Sequence, residues 1–237
     1  MNFSTLIPQR LRSPLISALL ATAGLSMSPT VRASFQLETM TVILDAGEGR
    51  KTFSVKNMSQ EPILLSTKVE DIPGDTPVAG DILVSPPVIR IEPQESQQVN
   101  FVLKKGVTVS REQILKASFQ GIGATKANVA RMPIRQDIAM LVVPAGTVES
   151  QTPWDRMQVR QEGNQLTLSN PGQQVIRMAP VFVTLPGNKS HSIGQFYLRP
   201  GESRTVNVEG MVKEVKLSPL SRYGFKSAQD ATLPVSR

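Results

Sequence analysis

The chain has 237 residues, with 26 lysines and arginines against 19 acidic residues, one histidine and no cysteine. The lack of cysteine excludes a disulfide scaffold and any cysteine-ligated metal centre. The positive surplus is small, comes partly from the first 33 residues and contains no long basic run, so we expect no nucleic-acid partner.

Residues 1–33 differ in character from the rest of the chain. Two arginines precede an apolar run, residues 14–27, which is too short for a membrane-spanning helix of about 20 residues. Val31 and Ala33 are small residues at the −3 and −1 positions of a signal-peptidase site. The pattern predicts a signal peptide cleaved after Ala33, with a retained N-terminal anchor as the alternative. We expect export and no stable membrane insertion of the remaining chain.

Short apolar runs rich in valine, isoleucine, leucine and threonine alternate with turn residues at intervals of roughly 8–12 residues, which is typical of β-sandwiches. No long helix is predicted. The predicted strands are, in chain order, 35–45, 52–57, 63–70, 82–85, 88–92, 97–104, 113–120, 128–143, 156–161, 165–169, 174–185, 194–198, 204–208 and 212–217. This pattern indicates an all-β fold class.

Two turn segments repeat a theme in which a strand runs through proline to glutamate: residues 90–95, RIEPQE, and 197–202, YLRPGE. The echo fits two sandwiches of similar build, although a chain of about 200 residues also suffices for one large β-domain. We place a boundary in the turn after Pro144. This predicts one domain over residues 34–146 and a second over 147–237.

The sequence offers no constellation for catalysis. His191 lies in a turn-like segment without a cluster of carboxylates at metal-ligand spacing, so we interpret it as a surface-loop histidine. Residues 121–124, GIGA, lack the spacing of a phosphate-binding loop. Glu70 and Asp71 are adjacent carboxylates, but nothing marks a sugar cleft around them. We predict no enzyme activity, no cofactor and no metal.

In residues 130–135, ARMPIR, apolar side chains alternate with arginine or proline. An extended strand therefore places Ala130, Met132 and Ile134 on one face. Pro133 cannot donate a ladder hydrogen bond, which confines the segment to a sheet edge. An exposed apolar edge can bind a partner by strand addition, and it can also self-associate with a second copy of the chain. From the alternation alone, an ordinary edge strand of a sandwich domain is the favoured interpretation.

Residues 85–93, SPPVIRIEP, resemble the proline pair, arginine and proline turn of the periplasmic chaperones of chaperone/usher pili, the PapD-like family. The resemblance extends over nearly all of the chain after the signal segment. It implies two immunoglobulin-like β-sandwich domains in an L-shaped arrangement, located in the periplasm. It also implies that the chain binds, folds and caps pilus (fimbrial) subunits by donor-strand complementation and delivers them to an outer-membrane usher. Ala130, Met132 and Ile134 would be the donor residues.

The two basic cleft residues of the family match Thr41 and Ala139, and neither is basic here. Three interpretations stay open. Arg131 and Arg135 on the donor strand replace the missing bases, strand addition alone holds the subunit, or the fold has been kept while its function has changed.

Arg222 stands where the resemblance leads us to expect the acidic member of an ion pair between the domains, and the expected basic partner matches Val143. We therefore expect other contacts to fix the angle between the domains.

Two rival functions belong to other classes. A structural or adhesive pilus component is usually a single incomplete domain and often has a disulfide, whereas this chain offers two complete domains and no cysteine. A secreted enzyme on a β-sandwich would need a polar constellation that one histidine does not supply.

Overall fold

The computed structural model of the protein describes residues 35–74, 76–123 and 132–237. The predicted signal peptide and its cleavage site after Ala33 lie outside these residues, as do Ala130 and Arg131. Within the described ranges, no helix has the length and apolar character needed to cross a membrane.

The described chain is almost entirely β-structure, interrupted by short 3-10 turns at Ala79–Asp81 and Pro153–Arg156. The strands are β1 (Phe35–Leu37), β2 (Thr41–Asp45), β3 (Arg50–Asn57), β4 (Ile63–Asp71), β5 (Ile82–Ser85), β6 (Val88–Ile91), β7 (Ser96–Leu103), β8 (Gln113–Gly123), β9 (Ile134–Val143), β10 (Gln158–Glu162), β11 (Gln165–Ser169), β12 (Ile176–Leu185), β13 (Lys189–Ser192), β14 (Tyr197–Leu198), β15 (Ser203–Asn207), β16 (Glu214–Pro219) and β17 (Ala231–Ser236). The predicted all-β class is confirmed.

Strands β1 to β9 form the first domain. One sheet has the order β1-β3-β7-β5 and the other the order β2-β9-β8-β4-β6. Apolar side chains alternate along the strands, as in β3, where Phe53 and Val55 are buried between more exposed neighbours. The rings of Phe53, Phe101 and Phe119 meet inside the sandwich with centroids 5.4 to 6.4 Å apart. Burial of this apolar face holds the two sheets together.

The first predicted strand, 35–45, is two strands in the structure. β1 pairs with β3 in one sheet, and β2 pairs with β9 in the other. Between them, the Ser54 N–H donates to Glu38 Oε2 at 2.8 Å and the Thr39 hydroxyl donates to the Thr41 carbonyl at 2.7 Å. Such local hydrogen bonds compete with a continuous ladder, so the chain changes sheets here.

Pro86 and Pro87 carry the chain from β5, at the edge of one sheet, to β6, at the edge of the other. Because proline has no N–H to donate, the pair ends one ladder before the next begins. The Pro87 carbonyl still accepts a hydrogen bond from the Thr67 N–H at 2.8 Å. The proline pair of residues 85–93 therefore marks a crossing between sheets.

Strands β10 to β17 form the second domain, in the order β13-β12-β16-β17-β10-β11-β15, with β14 also paired to β12. Leu166, Phe182 and Val215 are among its fully buried residues. The sequence analysis did not predict β13 or β17. In β13, His191 pairs with Phe182 of β12 and its ring stacks on the phenyl ring at 5.6 Å. The interpretation of His191 as a loop residue is therefore wrong, since it lies in an edge strand.

The sequence echo corresponds to a hydrogen-bonded joint in the first domain. Asn57, which is fully buried at the end of β3, donates its side-chain amide to the Ile91 carbonyl at 3.1 Å. Its backbone N–H donates to the Glu95 carbonyl at 2.9 Å, and its Oδ1 accepts from the Ser59 N–H at 2.9 Å.

The second domain has an equivalent joint. Asn170, also buried, donates its side-chain amide to the Leu198 carbonyl at 3.0 Å and its N–H to the Glu202 carbonyl at 2.9 Å. Its Oδ1 accepts from the Gly172 N–H at 3.0 Å. The matching pattern supports the interpretation that the two sandwiches share one build.

A small apolar cluster lies at the junction of the domains. Its buried members are Ile114 and Leu141 from the first domain and Val175 from the second. Strand β9 ends and β10 begins on either side of the connecting segment. The predicted boundary between residues 146 and 147 falls in this segment and stays a prediction.

Candidate functional site

The strand β9 is covered along only half of one edge. It pairs with β8 from Ile134 to Val142, whereas on its other side β2 pairs with it only from Ala139 to Val143. Within the described chain, residues 134–138 have no ladder partner on that second side. Their outward backbone donors and acceptors are therefore open to another strand.

Two of the three predicted donor residues, Met132 and Ile134, are described. Ile134 is half-buried against the core of the first domain, in which Ile138 and Met140, further along β9, are fully enclosed. Met132 lies two residues before Ile134 and is 88% exposed. Ala130 lies outside the described residues. The row of alternate residues that runs from Met132 to Met140 therefore begins in solvent and ends in the core.

Arg135, one predicted substitute anchor, is already engaged within the sheet. Its Nε donates to Asp137 Oδ1 at 2.8 Å, and its Nη2 donates to Ser118 Oγ at 2.9 Å and lies 3.3 Å from Glu70 Oε2. The hydrogen bond with Asp137 raises the pKa of Arg135. An incoming carboxylate would compete with two internal ones for this arginine. Arg131, the other predicted anchor, lies outside the described residues.

Glu70 on β4 is shared by three cations. Its Oε1 lies 2.6 Å from Lys68 Nζ, and its Oε2 lies 2.7 Å from Lys116 Nζ and 3.3 Å from Arg135 Nη2. Hydrogen bonds from Lys116 and then Lys68 lower the pKa of Glu70 to about 2. Even with Asp137 included, positive side chains outnumber negative ones on this part of the outer face.

The two positions that match the family's basic residues are direct neighbours, because Thr41 of β2 is the register partner of Ala139 of β9. Both side chains lie on the outer face of the sheet, since the next residues along each strand, Val42 and Met140, are buried in the core. Neither Thr41 nor Ala139 carries a charge. A cation at this place must therefore come from another element.

Arg177 of β12 reaches this place from the second domain. Its Nη1 donates to Thr41 Oγ1 at 2.7 Å and to the Arg222 carbonyl at 2.6 Å. No carboxylate in the described ranges forms an ion pair with Arg177, and its buried Nε has no acceptor there. Burial lowers the pKa of Arg177. The guanidinium is thus partly desolvated and lacks an acidic partner among the described residues.

Arg222 forms its ion pair with an acid of the first domain. Its Nη2 lies 2.5 Å from Glu112 Oε1, while Glu112 Oε2 accepts from the Val175 N–H at 2.9 Å. Burial raises the pKa of Glu112, and the positive charge of Arg222 acts against that rise. The acid is on the first domain and the base on the second, which reverses the charges that the family resemblance implied for this junction.

The sequence analysis did not single out Arg177, Lys116 or Glu112. Arg177 and Thr41 are 136 residues apart in the chain, and a contact over that separation leaves no local pattern. The register of β8 against β9 places Lys116 opposite Ala139, and this neighbour could have been found by assuming a regular pairing of the two strands. The described part of the chain holds no cluster suited to a metal ion.

Residues 34–148 match the family described as pili and flagellar-assembly chaperone, PapD N-terminal domain. Over a longer span, the chain is similar to YhcA of Escherichia coli K12, an uncharacterized fimbrial chaperone. The two sequences are 32% identical over 198 residues, which cover 82% of this chain and 88% of YhcA.

Solved structures share the fold. A chain in the complex of the Salmonella enterica SafA pilin with the SafB chaperone superposes with a TM-score of 0.69 at 22% identity, covering 86% of this chain and 98% of that chain. A chain in the CsuC–CsuE chaperone–tip adhesion subunit complex of Acinetobacter baumannii gives a TM-score of 0.58 at 16% identity, covering 86% and 99%. The predicted fold of two immunoglobulin-like β-sandwich domains is confirmed.

Proposed function

We propose that this chain, which belongs to the PapD-like family of pili and flagellar-assembly chaperones, holds pilus subunits on the free edge of β9 and delivers them to an outer-membrane usher. The family is one of chaperones and not of enzymes, and we assign no catalytic step to the chain. The observation that carries the proposal is the half-covered edge of β9, preceded by the exposed apolar side chain of Met132.

An uncovered sheet edge is a site for strand addition. Backbone hydrogen bonds along residues 134–138 would give affinity, and alternate side chains would give selectivity. The partner best suited to this edge is a sandwich domain that lacks one strand, because its groove could take up the row begun by Met132 and Ile134. Ala130 would extend the same row if the segment is extended throughout.

The exposure of Met132 fits a side chain that is buried only in a complex. It is 88% exposed, so its transfer into an apolar groove would contribute about 1.5–3 kcal/mol before the cost of ordering the segment. Ile134 would contribute less, since it is already half-buried in the free protein.

Fimbrial chaperones of this family are periplasmic. We propose that residues 1–33 direct the export of this chain and are removed by cleavage after Ala33. N-terminal sequencing of the protein recovered from the periplasmic fraction tests this step. A first residue other than Ser34 would place the cleavage site elsewhere.

The test of the function is co-expression with the pilin-like subunits encoded beside the gene, followed by purification of any complex. The decisive variant is Met132→Asp, which places a charge in the row that would enter the groove. Met211→Asp is the matched control, because Met211 is also exposed, at 60%, but lies in the second domain.

We expect a complex with one subunit per chain for the unmodified protein and for Met211→Asp, and its loss for Met132→Asp. A complex that survives Met132→Asp would rule out the donor row as the binding device. The oligomeric state of the free chain is measured in the same preparation, because the edge of β9 could also pair with a second copy. Direct binding of the purified complex to the usher tests the delivery step.

A further inference from the structure

The most exposed methionine side chain in the described ranges is that of Met132. It is 88% exposed, whereas Met211 and Met40 are 60% and 53% exposed. Met140, which lies in the same row of alternate residues, is fully buried. A methionine sulfur that water reaches is also reached by small oxidants dissolved in that water, so Met132 is the methionine most open to oxidation.

The sulfur of the second most exposed methionine, Met211, has a hydrogen-bond partner. Arg237 Nη2 donates to Met211 Sδ at 3.0 Å. This bond uses the electron density of the sulfur, which is also the part of the side chain that an oxidant attacks. Among the described residues, Met211 has this protection and Met132 does not. The difference in reactivity between them should therefore exceed the difference in exposure.

Met132 is also the first described residue of the row that would enter the groove of a pilus subunit. Ile134, the next residue of this row, is already half-buried in the free protein. Met132 therefore has more apolar surface to bury on binding than Ile134 has. A change in the polarity of the Met132 side chain would act directly on the affinity for the subunit.

Oxidation of a thioether by hydrogen peroxide requires no catalytic group from the chain. A lone pair of the sulfur attacks one peroxide oxygen, the O–O bond breaks, and the proton on the transferred oxygen passes to the departing hydroxide, which leaves as water. The sulfur loses two electrons and the peroxide gains them, so the methionine becomes a sulfoxide. The product carries a polar S=O group where the groove requires an apolar side chain.

We propose that Met132 is an oxidation site at which a two-electron oxidant such as hydrogen peroxide prevents the capture of new subunits. This inference rests on the proposed function, because it names a way in which the binding row is regulated. A sulfoxide in the groove loses the apolar contact and buries an oxygen that lacks a hydrogen-bond donor. A subunit that is already bound covers Met132, so loaded chains are protected while free chains are modified.

The modification is chemically reversible. Methionine sulfoxide reductases return the sulfoxide to the thioether, with one enzyme for each of the two configurations at sulfur. The exposed position of Met132 leaves its sulfoxide accessible to such an enzyme as long as the chain is free. Oxidation of a core methionine such as Met140 would instead disturb the packing of the first domain. Met132 can therefore be oxidised and restored without unfolding of the chain.

The first measurement follows each methionine by mass spectrometry while the purified, folded chain is treated with hydrogen peroxide. Trypsin cuts after lysine and arginine, so it releases Met132 in the peptide 132–135 and Met211 in the peptide 205–213. We expect the sulfoxide to form at Met132 first, then at Met211, and last at the buried Met140. In the complex with the pilin from the co-expression, oxidation of Met132 should slow toward the rate of Met140. Equal rates for Met132 in the free chain and in the complex would overturn the proposal.

The second measurement is the capture of denatured pilin on its dilution into the chaperone. The chaperone is treated with hydrogen peroxide, the peroxide is destroyed with catalase, and only then is the pilin added. The chaperone concentration needed for half-maximal capture should rise roughly tenfold to a hundredfold, the effect of losing the burial of one apolar side chain. Treatment with methionine sulfoxide reductases A and B together should return this concentration to its original value.

Met132→Leu is the decisive variant, because leucine is apolar and similar in volume to methionine but contains no sulfur. The comparison is made within the variant, and its capture of pilin should be the same before and after peroxide. Met211→Leu is the matched control and should lose capture after peroxide as the unmodified chain does. A loss in Met132→Leu equal to that of the unmodified chain would overturn the proposal. So would a chain that is fully oxidised at Met132 and still captures pilin normally.

The outcomes separate this inference from the proposed function. If the untreated chain captures pilin, loses it with Met132→Asp and is indifferent to oxidation of Met132, strand donation stands and only the oxidation site is removed. If the untreated chain captures no pilin, the proposed function fails, and this inference fails with it.

Discussion

Glu112 of the first domain and Arg222 of the second form an ion pair across the domain junction, with Oε1 and Nη2 2.5 Å apart. The side chain of Glu112 is 2% exposed and that of Arg222 17%, so solvent screens this pair little. The second Glu112 oxygen accepts the Val175 N–H, which also crosses the junction. One carboxylate thus holds two points of the second domain.

Replacement of Arg222 by methionine should destabilise the protein by about 3–5 kcal/mol, because it leaves the buried Glu112 carboxylate without its counter-charge. Urea unfolding followed by tryptophan fluorescence measures the change. Trp154, the single tryptophan, lines a cavity at the junction together with Arg222 and reports on this region directly.

Glu149→Gln is the control for that substitution. Glu149 lies 3.5 Å from Arg222 but is 44% exposed, so its loss should cost less than about 1 kcal/mol. Equal effects of Arg222→Met and Glu149→Gln would mean that the buried pair does not hold the junction.

The cost of Arg222→Met should shrink as the pH falls from neutral toward the raised pKa of Glu112. Burial raises the pKa of Glu112 above its usual value of 4.5, so the folded protein holds this proton more tightly than the unfolded chain. The contribution to stability is then favourable at low pH and is lost as the pH rises through the folded pKa. Without Arg222 the pKa rises further, and protonation relieves the unpaired charge. In the double variant Glu112→Gln/Arg222→Met, unfolding measured over the same pH range should show a difference from the unmodified protein that no longer shrinks.

Glu202 should stabilise the second domain at neutral pH and stop doing so in strong acid. Burial acts to raise the pKa of Glu202, but hydrogen bonds from the side chain and N–H of Arg199 and from Gln195 outweigh it and hold the pKa at about 2. A lowered pKa contributes stability above about 4.5 that is lost as the pH falls toward about 2. Glu202→Gln should therefore destabilise the protein at pH 7 and match it near pH 2 in urea unfolding. Glu162→Gln, at a 69% exposed carboxylate, should have little effect at either pH.

Asn57→Ala and Asn170→Ala should each destabilise the protein by about 3 kcal/mol or more. Each amide is buried and donates to at least two backbone carbonyls, which would lose their partner without gaining water. Asn207→Ala, at an exposed position at the end of β15, should change stability by less than about 0.5 kcal/mol. Similar unfolding midpoints for all three variants would mean that the buried amides of Asn57 and Asn170 do not stabilise the two joints.

Met132→Asp and Ile134→Asp should differ in stability even if both abolish subunit binding. Met132 is almost fully exposed, so a charge there leaves the free energy of unfolding unchanged within about 0.5 kcal/mol. Ile134 packs against the core, so Ile134→Asp should cost about 1–3 kcal/mol. Thermal unfolding of the free chains separates the two, and Met132→Asp is therefore the cleaner probe of binding.

Local patterns in the sequence predicted the β-strands well where alternation and turn residues coincide. The echo of residues 90–95 in 197–202 predicted two similar domains, and the structure places Asn57 and Asn170 on matching carbonyls of these segments. The alternation could not reveal that 35–45 divides between two sheets, because the bend is held by the side chains of Glu38 and Thr39 and not by a glycine or proline.

Only the part of the candidate site that lies within one continuous segment of the chain could be predicted from the sequence. The apolar row with Met132 and Ile134 follows from the period of a strand, since it lies within one segment. The cations beside Ala139 come from elements far apart in the chain, Lys116 on β8 and Arg177 on β12, and such neighbours depend on register and domain packing. The sequence analysis considered Arg131 and Arg135 as anchors because they lie next to the predicted donor residues along the chain.

The pairing of strand β9 changes at Ala139, where β2 begins to cover its second edge. The segment from Ala139 to Val143 is enclosed by β2 and β8, and a change there disturbs the folding of the first domain. The segment before it pairs with β8 on one side and, under the proposed function, with the bound subunit on the other. Under the proposed function, substitutions at exposed positions of this segment, such as Met132, would alter which subunit is accepted without disturbing the core. On that proposal, variation confined to this half of β9 would change the pilus subunit that the chain serves while the fold of the first domain stays the same.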